Sequence, residues 1–306
     1  MVDQAQGLRD LFLSQREKQK GAKEPAGKPR HHRVISFTSG KGGVGKTNLV
    51  TSFAQMAVQK RHRVLVMDAD LGLGNIDVLL GLRPKRTLQD VLNGQAEIRD
   101  VLLEGPGGVT FLPGGSGIAE LTALETAQKL ALVDAINELA VEFDTLLVDT
   151  GAGISPNVLY FNQAATEVVT VVTPEPTSIA DAYGMIKVLH QRGRKGPVYV
   201  LVNMARNGFE AVHVFQRLSL AAERFLGAEL INLGWLPRDP RLESAVRQQT
   251  AFVGMYPQSK LASRLREMST RLFSLRSGTG GEEGLARFWS DLVDQETSDL
   301  MESGPT

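Results

Sequence analysis

Between Arg33 and Gln59 the chain reads RVISFTSGKGGVGKTNLVTSFAQMAVQ. A short, unbroken apolar run enters a turn with glycines at 40, 42, 43 and 45, and a helix-forming stretch leaves it. Few folds accommodate that order. Glycines let backbone N–H groups converge on phosphate oxygens, and the helix that follows adds its positive end. The frame Gly40-x-x-x-x-Gly45-Lys46-Thr47 therefore predicts a nucleotide cradle built on a strand–loop–helix unit. Lys46 is expected to reach the β- and γ-phosphates and the Thr47 hydroxyl to ligate Mg²⁺. Gly42, Gly43, Val44, Gly45 and Asn48 complete the expected contact surface. A second lysine, Lys41, stands at the front of the loop, although one lysine suffices to hold a nucleotide.

The rest of the chain repeats the strand-then-helix order. RVLVMDAD, TLLVDTGAG, EVVTVVTPE and PVYVLVNMA are continuous apolar runs, each followed by a helix-like segment. Continuous runs suit strands covered on both faces, and strands alternating with helices argue for an α/β fold: a mostly parallel sheet flanked by helices on both faces. LGWLPRDPRL reads as a late strand running into a loop. Composition divides the chain further. Residues 1–17 suit a short helix with Leu8, Leu11 and Phe12 at helical spacing. Residues 18–33 are basic and punctuated by Gly and Pro, as a flexible linker would be. Residues 34–276 form the expected nucleotide-binding domain, and 277–306 a joint and C-terminal tail.

With no cysteine, the chain has no disulfide, thiolate metal site, cysteine-ligated cluster or cysteine nucleophile. Formal net charge is +0, so no global field recommends it as a nucleic-acid binder. No apolar run approaches the ~18 residues of a spanning helix, and the N-terminus lacks a secretory pattern.

Three carboxylates stand at strand ends, where an open α/β sheet places its ligands. Asp68 and Asp70 are two apart and share a strand face. Asp149 closes an apolar run, an expensive position unless something pairs with it, and Mg²⁺-bound water is a suitable partner. Gly151 and Gly153 then allow a switch loop near the γ-phosphate.

KGGVGKT with its early Lys41, MDADLGLGNID and VDTGAG together resemble the MinD/ParA group of P-loop ATPases with a deviant Walker A motif. The resemblance implies ATP as the nucleotide, with Mg²⁺. It implies that Lys41 reaches the nucleotide of a second copy, so that ATP dimerises the chain. It also gives Asp70 the attacking water, Asp68 a supporting place in the Mg²⁺ shell, and Asn203 the adenine, with Pro237 and Arg238 flanking the ring. Within that group, MDADLGLGNIDVLLGLRPKRTLQDVLNG, EIRDVLLEGPGGVTFLPGGSG and PEPTSIADAYGMIKVL are similar to the flagellar-number regulators of the FlhG/FleN family. This similarity runs over roughly residues 33–295.

DQAQGLRDL, residues 3–11, is similar to the N-terminal motif with which FlhG proteins stimulate the GTPase FlhF. The resemblance implies Gln4 at the partner's GTP site and Leu8, Leu11 and Phe12 as anchors. Leu285, Phe288, Trp289, Leu292 and Val293 form one helical stripe in the tail. In the family such a helix lies on the inner membrane in the ATP state. Here only Arg287 is cationic between 285 and 306, against Asp291, Asp294, Glu296, Asp299 and Glu302, and an anionic leaflet repels that face. The alternative is a stripe packed on the protein's own body.

The expectation is a slow ATPase serving as a timer, cytoplasmic with reversible membrane contact. It regulates flagellar number and placement through FlhF and a σ54-dependent activator of the FleQ/FlrA kind, without direct nucleic-acid binding. Two alternatives stay open: a ParA-type DNA-segregation ATPase, using the basic stretch 264–276, and a MinD-type cell-division positioning ATPase.

Overall fold

The computed structural model describes residues 33–70, 76–114, 139, 142–274 and 288. Its first strand, β1 (Arg33–Ser39), is buried along its whole length. Ile35 and Phe37 enter the core on one side and Val34 the core on the other, so neither face of the strand meets water. β1 begins at Arg33, the last residue of the stretch read as linker. Its guanidinium donates twice to the Glu167 carboxylate, at 2.7 Å each, and once to the Leu272 carbonyl at 3.0 Å. A charge can be buried there because it is paired and three of its N–H donors are occupied.

The chain continues through α1 (Lys46–Gln59), β2 (Val64–Ala69), α2 (Ile76–Leu80), α3 (Leu88–Leu92), α4 (Ile98–Val101), β3 (Leu103–Gly105) and β4 (Val109–Leu112). Then come β5 (Thr145–Ala152), α5 (Pro156–Ala164), β6 (Glu167–Val172), α6 (Pro176–Gln191), β7 (Val198–Ala205) and α7 (Gly208–Leu226). β8 (Ile231–Pro237), α8 (Arg241–Arg247), α9 (Phe252–Met255) and α10 (Lys260–Ser274) follow. The strands form one eight-stranded sheet in the order β3-β4-β2-β5-β1-β6-β7-β8. Every neighbouring pair is parallel except β3 with β4.

Helices cover both faces, as the alternation of strand and helix predicts. On one face α1 contributes Val50 and Phe53, and α10 contributes Leu261, Leu265 and Leu272. On the other, α5 contributes Phe161, and α6 and α7 contribute Ile186 and Leu218. The cations of α10 stand apart from its buried stripe; the Arg264 guanidinium lies 3.8 Å over the Trp235 ring. No helix among the described residues is long and apolar enough to cross a membrane.

β1 lies between β5 and β6. The chain leaves it toward β2 on one side and later crosses to β6 on the other, so the loops after β1 and β5 open where the winding reverses. The β2–β5 register sets Asp68 beside Asp149. The fold thereby carries the glycine loop and the strand-end carboxylates to one end of the sheet.

Candidate functional site

The turn from β1 into α1 forms a cradle. Gly43 and Gly45 have φ of 78° and 86°, a region that residues with a Cβ resist. At Gly45 a Cβ would also lie 2.8 Å from Nδ2 of Asn203. Gly42 is different: a Cβ there would meet nothing within 4 Å, so the chain's own packing does not call for glycine. Its loop instead lines a cavity of about 540 Å³ together with Val44, Lys46, Thr47, Asn48 and Asp70.

Lys46 turns inward. Its Nζ donates to Oδ1 of Asp149 at 2.9 Å, with the two side chains 8% and 2% exposed. Burial pushes the Asp149 carboxyl up from its ordinary value. The Lys46 charge and hydrogen bonds from Lys46 and Thr47 oppose the rise, and Asp70 adds to it. Lys46, Thr47, Asp70 and Asp149 thus converge. A buried carboxylate held between an ammonium and a hydroxyl fits a nucleotide–Mg²⁺ group: phosphates can take over Lys46 while a divalent cation takes over Asp149.

Asp68 has another engagement. Its two oxygens accept the N–H groups of Asp70 and Ile76, each at 3.1 Å. The carboxylate expected beside the Mg²⁺ shell thus also links Asp70, just after β2, to Ile76, the first residue of α2.

Lys41 leaves the cradle. Its Nζ donates to Oε2 of Glu175 at 2.5 Å and lies 3.5 Å from the Thr177 hydroxyl. The side chain keeps 42% of its surface in water. The two lysines of one loop therefore occupy unlike places, one buried on a strand-end carboxylate and the other at the surface beside α6.

The opposite end of the cleft is narrower, a cavity of about 120 Å³ lined by Asn203, Pro237 and Arg238 among others. Asn203 is buried. Its Nδ2 donates to the Val44 carbonyl at 2.8 Å, and its Oδ1 accepts the Met204 N–H at 2.9 Å. That second bond supports Met204 at φ 59°, a conformation uncommon outside glycine. Asn203 keeps a second Nδ2 hydrogen and a second Oδ1 lone pair beyond these bonds. The structure therefore brings together all three residues expected around the base.

Sequence reasoning missed one wall. Leu242, Glu243, Val246 and Arg247, all on α8, line the larger cavity. The sequence reads as a loop only as far as Leu242 and declares nothing over 243–247, because seven residues give too little periodicity to register as a helix. Pro240, immediately before α8, was the available signal.

The CobQ/CobB/MinD/ParA nucleotide binding domain matches residues 35–251. The chain is 42% identical over 257 residues to the Antiactivator FleN of Pseudomonas aeruginosa, spanning 84% of this chain and 90% of that protein. The chain belongs to the MinD/ParA ATPases, on the FlhG/FleN branch. A second FlhG/FleN-branch similarity is to the flagellum site-determining protein YlxH of Helicobacter pylori, 32% identical over 85% of this chain and 90% of that protein. Among solved structures, this MinD/ParA chain is similar to the septum site-determining protein MinD of Pyrococcus horikoshii complexed with Mg-ADP. There the TM-score is 0.60 at 25% identity, covering 79% of this chain and 96% of that one.

Of the tail residues, only Phe288 is among those described. It is fully buried beside α5, its ring centroid 6.4 Å from that of Phe161. At this position the stripe packs on the body of the protein. Leu285, Trp289, Leu292 and Val293 lie outside the described residues, as do Gln4, Leu8, Leu11 and Phe12, most of the linker, and the joint at 277–284.

Proposed function

We propose that this chain is an ATP-dependent dimerising switch that regulates flagellar number and placement. The observation that carries the reading is the near end-to-end similarity to a protein named an antiactivator. The similarity to a flagellum site-determining protein adds placement. By analogy with those names, the switch restrains a σ54-dependent flagellar activator of the FleQ/FlrA kind. It stimulates FlhF through Gln4, Leu8, Leu11 and Phe12, and it visits the inner membrane surface through its tail when ATP is bound.

The proposed chemistry follows from the cleft. The loop amides from Gly42 to Asn48 and the Lys46 ammonium hold the phosphates, while Asn203, Pro237 and Arg238 hold the adenine. Thr47 and Asp149 would hold Mg²⁺, with Asp68 supporting its shell, and the ion would offset phosphate charge. Asp70 orients a water for attack on the γ-phosphorus, giving ADP and phosphate. Lys41 supplies a cation to the nucleotide of a second copy, making turnover depend on dimerisation. Its position outside its own cradle supports that role. Turnover is slow and acts as a timer. No specific observation favours the DNA-segregation or cell-division alternatives.

Flagellar counts test the biological reading. Cells lacking the chain are expected to carry an altered number of flagella, restored by the wild-type protein and not by Lys41→Ala. Unchanged counts in the deletion strain would contradict it.

A further inference from the structure

We infer that Glu243 accepts hydrogen bonds from the ribose hydroxyls of the bound nucleotide and makes this chain discriminate ribonucleotides from deoxyribonucleotides. The inference rests on the nucleotide reading above and names a contact that reading does not use.

The cleft has two parts. The larger holds the glycine loop, Lys46, Thr47 and Asp70, and the smaller holds Asn203, Pro237 and Arg238. A nucleotide with phosphates in the first and base in the second must pass its sugar through their junction. Five side-chain positions line both parts: Gly45, Asn48, Met204, Leu242 and Glu243. Gly45, Met204 and Leu242 offer a hydroxyl no strong acceptor. Asn48 and Glu243 do, and Glu243 alone carries a carboxyl group.

An ionised carboxylate only accepts hydrogen bonds, and a vicinal diol presents two donors to it. Such charge-assisted O–H···O⁻ bonds are among the stronger ones. An acidic side chain holds the ribose hydroxyl in the dinucleotide-binding folds by the same chemistry. Beside a polyphosphate a carboxylate is otherwise unfavourable, since like charges repel.

Local structure positions the group. Glu243 lies in the first turn of α8, and its N–H donates to the Pro240 carbonyl at 3.2 Å. The turn before it is fixed by Asp239, which accepts from Nε and Nη2 of Arg241 at 2.9 and 2.7 Å. The Glu243 residue is exposed to solvent, and among the described residues no ion pair engages its carboxylate.

Titration calorimetry of the full chain with ATP, 2′-deoxy-ATP and 3′-deoxy-ATP tests the assignment, using wild type, Glu243→Gln and Glu243→Ala. Loss of a hydroxyl is expected to weaken binding to wild type by about tenfold for at least one deoxynucleotide. Glu243→Ala should bind ATP and that deoxynucleotide equally, and Glu243→Gln should fall between. The ratio within each variant is insensitive to a general loss of folded protein. The same ATP-to-deoxynucleotide ratio in all three proteins would overturn the role of Glu243 while leaving the nucleotide site intact. No ATP binding by wild type would overturn the nucleotide reading itself, and this inference with it.

Discussion

Lys46 Nζ and Asp149 Oδ1 lie 2.9 Å apart with both side chains nearly closed to water, so a buried ion pair ties α1 to β5 beside their apolar packing. Such a pair adds little net stability, but either member alone is an uncompensated buried charge. Lys46→Met is therefore expected to destabilise the nucleotide-free chain by about 3 kcal/mol. The double variant Lys46→Met/Asp149→Asn should recover at least half of that loss. Urea denaturation measures both, and strict additivity of the two single changes would contradict the pairing.

The glycines of the loop separate folding from binding. A Cβ at Gly40 would stand 2.2 Å from the backbone carbonyl carbon of Asp181, whereas one at Gly42 would meet nothing within 4 Å. Gly40→Ala is expected to lower the thermal midpoint by several degrees, since the clash is with backbone that cannot step aside. Gly42→Ala should leave the midpoint within about a degree of wild type yet weaken ATP binding by about tenfold, if its methyl group enters the proposed phosphate site. Equal melting of the two variants would contradict the geometry.

Tyr199 provides a titration signature at the far end of the sheet. Its phenol is pushed up to about 12, first by burial and next by the negative charge of Glu167. A hydrogen bond with Glu167 adds to the rise, and Arg33 opposes it. A folded-state value above the unfolded value near ~10 stabilises the fold below that pH, and the contribution is lost as pH rises toward 12. Tyrosinate absorbance should show a component ionising near pH 12, and Tyr199→Phe should remove it. A folded-state titration curve unchanged by Tyr199→Phe above about pH 11 would contradict the burial.

Much of this architecture was legible because the physics is local. Strands such as VLVMDA declare themselves by having no polar face, and the glycine loop by the left-handed backbone that its turn into α1 requires. Asp149 could be singled out because a carboxylate ending a buried strand needs a partner. The unread parts depend on contacts distant in sequence. Glu175 lies 134 positions from Lys41, and Arg33 lies the same distance from Glu167, so nothing near either cation reveals its carboxylate. Asp68 lies near Asp70 and Ile76, but their N–H groups meet its carboxylate only in the folded chain, so spacing alone does not reveal these bonds. Phe288 fits a helical stripe for lipid as well as one for the protein's own core, and spacing cannot choose between them.

The Lys41–Glu175 pair is exposed, with 42% and 60% of the side chains open to water. Pairs of this kind contribute at most about 1 kcal/mol. Glu175→Gln should therefore release Lys41 cheaply and, because each of the two copies frees one lysine, tighten ATP-dependent self-association by no more than about thirtyfold. Sedimentation equilibrium across protein concentrations reads this directly. A hundredfold change in either direction would assign Glu175 a role beyond holding the lysine.

The central claim is that ATP joins two copies through Lys41, and hydrodynamic mass with ATP, ADP or no nucleotide tests it most directly. Wild type should dimerise only with ATP, Asp70→Ala should form a lasting ATP dimer, and Lys41→Ala should remain monomeric throughout. A wild-type monomer under every condition, or an undiminished ATP dimer of Lys41→Ala, would contradict the account.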